Sequence, residues 1–293
     1  MRARMPRLAV DLVRLARPRD WAKSVFVLLP VPFALRAGAS LSLANLALGV
    51  AAFCVTASGV YVLNDLRDAE ADRAHPRKRL RPIASGAVAP GLAAVYGAAL
   101  LVLGLALAAA TGHRTVLAYL GAYVAINAFY TLRGKQVPIL DVFLLGSFYV
   151  LRVLVGCALV DARPSNWLLT CSLWVALFLG FAKRRADFAH GSGADEQPRR
   201  IGYTASFLDQ AMSIAAGITL VSYALYSQEA AVFVPGRELA GMPFVAFGLL
   251  YYLRAAHMDE VRVGPVEMAW HSRTLQICSL GWLAATLFSL GAF

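Results

Sequence analysis

Long apolar runs carrying almost no charge recur along the chain, and no other feature restricts its fold as much. They lie at about residues 24–38, 43–64, 91–110, 115–132, 139–160, 165–183, 207–227, 240–256 and 272–291. Runs of this kind span a bilayer as α-helices of roughly 20 residues. Lipid accepts only helices or closed barrels, because an unpaired backbone group finds no water there. The runs are continuous rather than alternating, which argues against a barrel. Composition agrees, with 59% hydrophobic and 15% charged residues, where a soluble domain has about half and a quarter. The expected fold is an all-α membrane protein, a bundle of about nine transmembrane helices in a single domain over residues 1–293. Pro30 and Pro32 make the first span short and kinked.

The charges between the spans set a topology. Of the 28 Lys and Arg residues, Arg36, Arg114, Arg163 and Arg237 fall in the loops of one side and Arg152 lies inside a span. All the others belong to the N-terminal segment and the opposite loops. The positive-inside rule then places the N-terminus and the charged loops in the cytoplasm and the C-terminus outside. The net charge of +11 reads as this topology signal and as attraction to anionic lipid, not as nucleic-acid binding. Residues 1–23 are basic and amphipathic, interrupted by Pro6 and Pro18, and are expected to lie along the membrane surface rather than to act as a cleaved signal. Cys54, Cys157, Cys171 and Cys278 are scattered without a CxxC pair, so neither a zinc site nor a disulfide framework is expected.

The chemistry concentrates in the stretch from Tyr61 to Gly86, YVLNDLRDAEADRAHPRKRLRPIASG. At 100° per helical residue, Asp65, Asp68 and Asp72 fall at roughly 0°, 300° and 340°, and Asn64 near 260°. Three carboxylates and an amide therefore share one side of a helix. Carboxylates brought together repel unless a cation lies between them. Oxygen-only ligands suit Mg²⁺, which fills its shell with waters and substrate phosphates. The basic residues that follow, Arg73, Arg77, Lys78, Arg79 and Arg81, are suited to phosphate oxygens. A solvated, charged helix end is the plainer alternative. Residues 65–90 and 184–206 are expected as cytoplasmic active-site loops.

In the second of these, Lys183-Arg184-Arg185-Ala186-Asp187 places Arg184 and Lys183 three and four residues before Asp187, able to share a helix face. Gly191, Ser192 and Gly193 follow as a flexible segment. Asp141 and Arg152 sit eleven residues apart, about 20° from one another on one helix face. An arginine inside a span faces the bundle interior or a watery cavity. Asn127 suits an interhelical hydrogen bond, and Lys135 lies between the fourth and fifth spans.

The segment Asn64 to Asp72 fits NDxxDxxxD, and with nine spans it resembles the UbiA superfamily of intramembrane prenyltransferases. That resemblance implies an all-α bundle with a central cavity open to the cytoplasmic face, and two aspartate-rich motifs holding a Mg²⁺-diphosphate. The second motif departs from the family's DxxxD: KRRAD carries one acid and gains cations. With DVFLLGSFYVLR it is similar to the branch that moves phosphoribose from phosphoribosyl diphosphate (PRPP) to a polyprenyl phosphate such as decaprenyl phosphate, toward the arabinose donor of cell-wall arabinans. On this resemblance Asp65, Asp68 and Asp72 are the catalytic acids and, with Asn64, the Mg²⁺ ligands. Lys183, Arg184 and Asp187 take the donor's 5-phosphate and ribose, and Lys23, Arg73, Lys78, Arg79, Lys135 and Arg152 are further substrate-binding candidates. Exposed span faces leave room for a homo-oligomer. Two other readings stay open: ordinary prenyl transfer from a prenyl diphosphate to an aromatic or other acceptor, and a non-catalytic transporter or lipid-binding protein.

Overall fold

The computed structural model describes residues 4–76, 78–190, 202–258, 268–269 and 271–291. All regular structure among them is helical. The α-helices are α1 (Arg4–Ala16), α2 (Val31–Arg36), α3 (Leu43–Ala74), α4 (Pro90–Ala110), α5 (Arg114–Leu132), α6 (Leu140–Leu159), α7 (Asn166–His190), α8 (Ala205–Glu229), α9 (Met242–His257) and α10 (Arg273–Ser289). Tighter 3₁₀ segments run over Pro18–Val27, Lys78–Leu80 and Gly134–Gln136. By length and composition, α3 to α8 are the six described helices able to cross a membrane. The chain is an integral membrane protein. The spans expected at 240–256 and 272–291 are helical but shorter, 16 residues in α9 and 17 in α10.

The first span is broken more sharply than the expected kink, and two expected loop starts are corrected. The first span is not one helix: the 3₁₀ segment and the short α2 replace it around Pro30 and Pro32, since proline removes a donor and crowds the preceding turn. The loops expected to begin at Asp65 and Arg184 are helical at their starts, because α3 runs on to Ala74 and α7 to His190. Hydropathy marks where apolar sequence stops, whereas the Arg, Glu and Ala residues that follow continue a helix readily. α3 ends at His75, in extended conformation, where Pro76 disfavours the helical region for its predecessor. The segment Gly191 to Gly193, most of the loop expected over 184–206, and Arg77 lie outside the described residues.

The chain divides into two compact units, each assembled from separate segments. The first comprises residues 1–30, 40–133 and 151–162. Its α3 begins at Ser42, whose Oγ accepts from the Asn45 amide at 3.3 Å, satisfying one of the donors a helix start leaves open. α3 and α4 approach closely through small residues: a Cβ on Gly104 would stand 2.2 Å from Thr56 Oγ1, the kind of contact that lets membrane helices pack without large side chains. The amphipathic α1 turns its apolar stripe inward. Leu8, Leu12 and Leu15 pack with Val62, Ala69, Ile83 and Val88, while Val10 and Val13 stay exposed.

The second unit comprises residues 31–39, 134–150 and 163–293. Its core gathers Val142, Phe178, Phe181, Leu208, Met212 and Tyr252 from α6, α7, α8 and α9. The Phe178 and Tyr252 rings meet edge-on, with centroids 5.5 Å apart, an arrangement the ring quadrupoles favour. Thr204 caps α8 by accepting from the Phe207 amide at 3.2 Å.

Candidate active site

In the first unit the polar chemistry of α3 sits on its last three turns. Asp65 and Asp72 are buried although charged, with 4% and 5% exposure, so each needs a cation. One guanidinium nitrogen serves both: Arg81 Nη1 lies 2.9 Å from Asp65 Oδ1 and 2.7 Å from Asp72 Oδ2. Arg17 reaches the same Asp65 oxygen at 2.5 Å. Burial works against the charge of Arg17, but the attraction and hydrogen bond of Asp65 outweigh it, and its pKa is raised. Arg17 has φ 52° and ψ 58°, a left-handed backbone uncommon for a residue with a side chain. That turn separates α1 from the following 3₁₀ segment. Its guanidinium lies 5.5 Å from the centroid of the Tyr61 ring and Lys23 Nζ 5.9 Å from the same ring.

The other sequence candidates of this unit take distinct places. Asn64 Oδ1 accepts from Thr131 Oγ1 of α5 at 2.7 Å, which fixes the amide at the head of the carboxylate arc. Asp68 is half-buried on that arc, Lys78 is half-buried, and Arg73 and Arg79 are exposed. His75 Nδ1 accepts from the Lys78 amide at 3.1 Å, tying the turn after α3. Arg152 is 2% exposed and lies over the rings of Phe53 and Tyr123, at 4.5 and 5.5 Å from their centroids. Cation–π attraction of this kind is strongest when the charge is desolvated.

Mg²⁺ takes oxygen donors, few of them carboxylates. Among the described residues no group of three or more His, Cys, Asp or Glu side chains converges on one point. Two carboxylates do, since a single cationic nitrogen touches one oxygen of each. Mg²⁺ asks for no more than one or two carboxylates beside waters and substrate phosphates, so the oxygen donors of α3 suit it by type, once Arg81 gives up the two oxygens it now bonds.

In the second unit Asp141 organises the site. It is wholly buried, taking Arg184 Nε on Oδ2 at 2.7 Å and the Tyr203 hydroxyl on Oδ1 at 2.6 Å. Tyr203 in turn accepts from the Ile139 amide at 2.6 Å. Burial first, and then the bond donated to Asp141, push the Tyr203 phenol well up, so it remains a donor at neutral pH. Arg184 Nη1 lies 3.7 Å from Asp187 Oδ2, and Arg185 Nε bonds Asp209 Oδ1 at 2.9 Å. Lys183 is exposed and Lys135 half-buried. The KRRAD stretch thus presents a buried, anchored arginine with an acid beside it. Asp141 and Arg152 share a helix face, as expected, but each is given its own partners.

Sequence reasoning missed Arg17, Arg81 and Tyr203 as site residues. Arg81 was visible as part of a basic run. Nothing local marked Arg17 or Tyr203, which reach their carboxylates across 48 and 62 residues.

The UbiA prenyltransferase family profile matches residues 24–273. The chain is 32% identical to the decaprenyl-phosphate phosphoribosyltransferase of Corynebacterium glutamicum, over 94% of this chain and 85% of that protein. It is 31% identical to the protein of the same name from Mycolicibacterium smegmatis, over 96% and 94% respectively. Among solved structures, a UbiA homolog from Archaeoglobus fulgidus bound to DMAPP and Mg²⁺ superposes with a TM-score of 0.73 at 19% identity, covering 97% of this chain and all of that one. Fold, motif and sequence agree, and the chain belongs to the UbiA prenyltransferase family.

Proposed function

We propose that this protein transfers the 5-phosphoribosyl group of PRPP to a polyprenyl phosphate and releases diphosphate. The observation that carries the reading is Arg184. At the second motif a prenyl-diphosphate enzyme of this family needs acids for a second metal. This chain instead holds a buried guanidinium, fixed by Asp141 and Asp187, which suits a metal-free phosphate. PRPP has such a phosphate at its 5-position, and prenyl diphosphates have none. The names of the corynebacterial and mycobacterial relatives support the same activity.

Asp65 and Asp72, with Asp68 and Asn64 beside them on α3, would hold Mg²⁺ together with the donor's diphosphate. When bound, the ion neutralises the charge of the leaving diphosphate. Arg17 and Arg81, already at the carboxylates, supply further cations to that group. Arg184 and Lys183 would bind the 5-phosphate, and Asp187, beside Arg184, would accept from the ribose hydroxyls. A phosphate oxygen of the acceptor forms the new bond to the anomeric carbon, and the bond from that carbon to the diphosphate oxygen breaks, its electron pair leaving with the diphosphate. Attack opposite the leaving group inverts the anomeric centre. The acceptor is already an anion, so no strong general base is required. Lys23 screens it from the donor's charge, while Arg73, Lys78, Arg79 and Lys135 draw anionic substrate toward the site. Arg152 braces the Phe53 and Tyr123 rings beneath. The carboxylates face the cytoplasm in this reading, as the Lys and Arg distribution supports.

The test is purified protein in nanodiscs with Mg²⁺ and a polyprenyl phosphate, offered radiolabelled PRPP or a radiolabelled prenyl diphosphate. Label entering lipid from PRPP, and lost on chelation, is expected. Label transferred only from the prenyl diphosphate to an aromatic acceptor would overturn the reading.

A further inference from the structure

The second unit holds strained backbone next to its site. Ile139 has φ 69°, in the left-handed region that a β-branched side chain avoids. Across it the Leu140 amide donates to the Pro138 carbonyl at 2.8 Å, so Ile139 is the middle residue of a γ-turn of the rare, strained hand. Its carbonyl accepts from the Val142 and Phe143 amides at 3.1 and 3.0 Å, which makes it the residue that opens α6, two positions before Asp141. Packing of the side chain does not explain the conformation: Ile139 is 45% exposed, and glycine takes such a backbone at no steric cost. Strain of this kind persists where the surroundings hold it, and it gathers at functional sites.

Tyr203 holds the turn. The Ile139 amide donates to its Oη at 2.6 Å, and Oη donates to Asp141 Oδ1 at 2.6 Å. A phenol has a single proton. With the Ile139 N–H aimed at its oxygen, that proton is directed to the carboxylate. The ring is fixed as well. Tyr203 is buried and stacks on Phe207, with centroids 5.7 Å apart and planes inclined by 22°, and Phe207 meets Phe181 edge-on. Gly202, at φ 89°, supplies the reversal of the chain just before Tyr203 and the capping Thr204.

An aspartate carboxylate turns easily about its last bond. Here each oxygen has its own donor, Tyr203 on Oδ1 and Arg184 Nε on Oδ2. The plane of the carboxylate is thereby set, and with it the direction of the guanidinium. We infer that Tyr203 is a positioning residue for the donor's 5-phosphate: it turns Asp141, and Asp141 aims Arg184. The strained turn at Ile139 is the means by which the phenol's proton is aimed. The inference rests on the reaction proposed above and adds a residue that governs recognition of the phosphate through two others.

Tyr203→Phe keeps the stacked ring and deletes Oη. Calorimetric titration of the protein in nanodiscs with ribose 5-phosphate probes the phosphate anchor, and titration with Mg²⁺-diphosphate probes the α3 acids. Tyr203→Phe is expected to weaken ribose 5-phosphate at least about tenfold, the scale of one hydrogen bond to a charged group, and to leave Mg²⁺-diphosphate within about twofold. In turnover, KM for PRPP should rise by the same factor and KM for polyprenyl phosphate should not. Equal affinity of the two proteins for ribose 5-phosphate overturns the inference. So does an equal loss for both ligands, which marks Tyr203 as structural only. Adding Ile139→Gly to Tyr203→Phe removes the strain and keeps the amide. Ribose 5-phosphate should still bind weakly, because the donor to Asp141 is missing; recovery would show that Tyr203 only props the turn, and overturns the positioning. Weakened ribose 5-phosphate binding by Tyr203→Phe in a protein that turns over no PRPP overturns the reaction and leaves the positioning role standing.

Discussion

Asp141→Asn is the change whose outcome follows most directly from the geometry. The side chain keeps its shape but has one acceptor oxygen where the carboxylate has two. Either Arg184 Nε–H or the Tyr203 hydroxyl then faces an amide NH₂. Tyr203 cannot simply reverse roles, because its oxygen already accepts from Ile139. Arg184 is left as a 4% exposed cation without the bond from Asp141, its Nη1 3.7 Å from Asp187 Oδ2. Breaking a buried ion pair by removing one partner costs about 3–5 kcal/mol. The variant should therefore lose thermal stability in detergent. The loss of a fixed guanidinium, a charged hydrogen bond worth about 1.5–3 kcal/mol, should raise KM for PRPP roughly 10- to 150-fold. A second variant separates the two effects. In Asp141→Leu with Arg184→Leu both charges go, and replacing a buried pair by apolar groups is often neutral or stabilising. The double variant should melt above Asp141→Asn yet retain the raised KM. The reasoning is refuted if Asp141→Asn keeps both the melting temperature and the KM of the unaltered protein.

Asp65→Asn and Asp72→Asn should each lower Mg²⁺-dependent kcat at least about 100-fold, the scale on which one preorganised charge contributes to a transition state; rates within tenfold of the unaltered protein in nanodiscs would remove the metal from α3. Lys183→Ala, at an exposed position, should raise KM for PRPP only about 1.5- to fivefold, the solvent-screened scale, and less than Arg184→Ala; the reverse ranking in initial-rate assays would make Lys183 the principal phosphate ligand. Gly104→Val should destabilise by about 1–3 kcal/mol through overpacking against Thr56, whereas Gly121→Ala, where a Cβ meets nothing within 4 Å, should not lower thermal stability; equal melting temperatures for the two would show that α3 and α4 are not closely packed.

The periodicities of the chain fixed what is local and left the partners undetermined. The arc of Asn64, Asp65, Asp68 and Asp72 was legible because 3.6-residue spacing puts them on one side of a helix, and a cluster of oxygen donors has few stable fates without a cation. The break at Pro30 and Pro32 was legible for an equally local reason. Arg17 was not. It closes on Asp65 only because Leu8, Leu12 and Leu15 seat α1 against α3 and α4 and a left-handed residue then turns its side chain inward. Tyr203 was hidden likewise, its role set by where α8 begins relative to α6. In both units the buried carboxylate is on the page of the sequence and its cation or donor is not, because the first follows from spacing and the second from packing.

That division bears on how this fold changes its donor. The α3 acids, the part a spacing rule can find, suit the diphosphate common to prenyl diphosphates and PRPP. The second motif differs by exchange of acids for Lys183, Arg184 and Arg185, and such cations are costly inside a helical membrane protein unless held. Two of the three are held, by Asp141 and Asp209, and the third is exposed. The substitution of cations therefore required carboxylates elsewhere in the second unit to carry them, and an enzyme of this family given KRRAD without Asp141 and Tyr203 should gain buried charge and lose stability rather than acquire a phosphate site. Grafting KRRAD with Asp209, and KRRAD with Asp209, Asp141 and Tyr203, into a two-acid relative and comparing melting temperatures tests this: equal destabilisation by the two grafts would mean that Asp141 is incidental to the exchange.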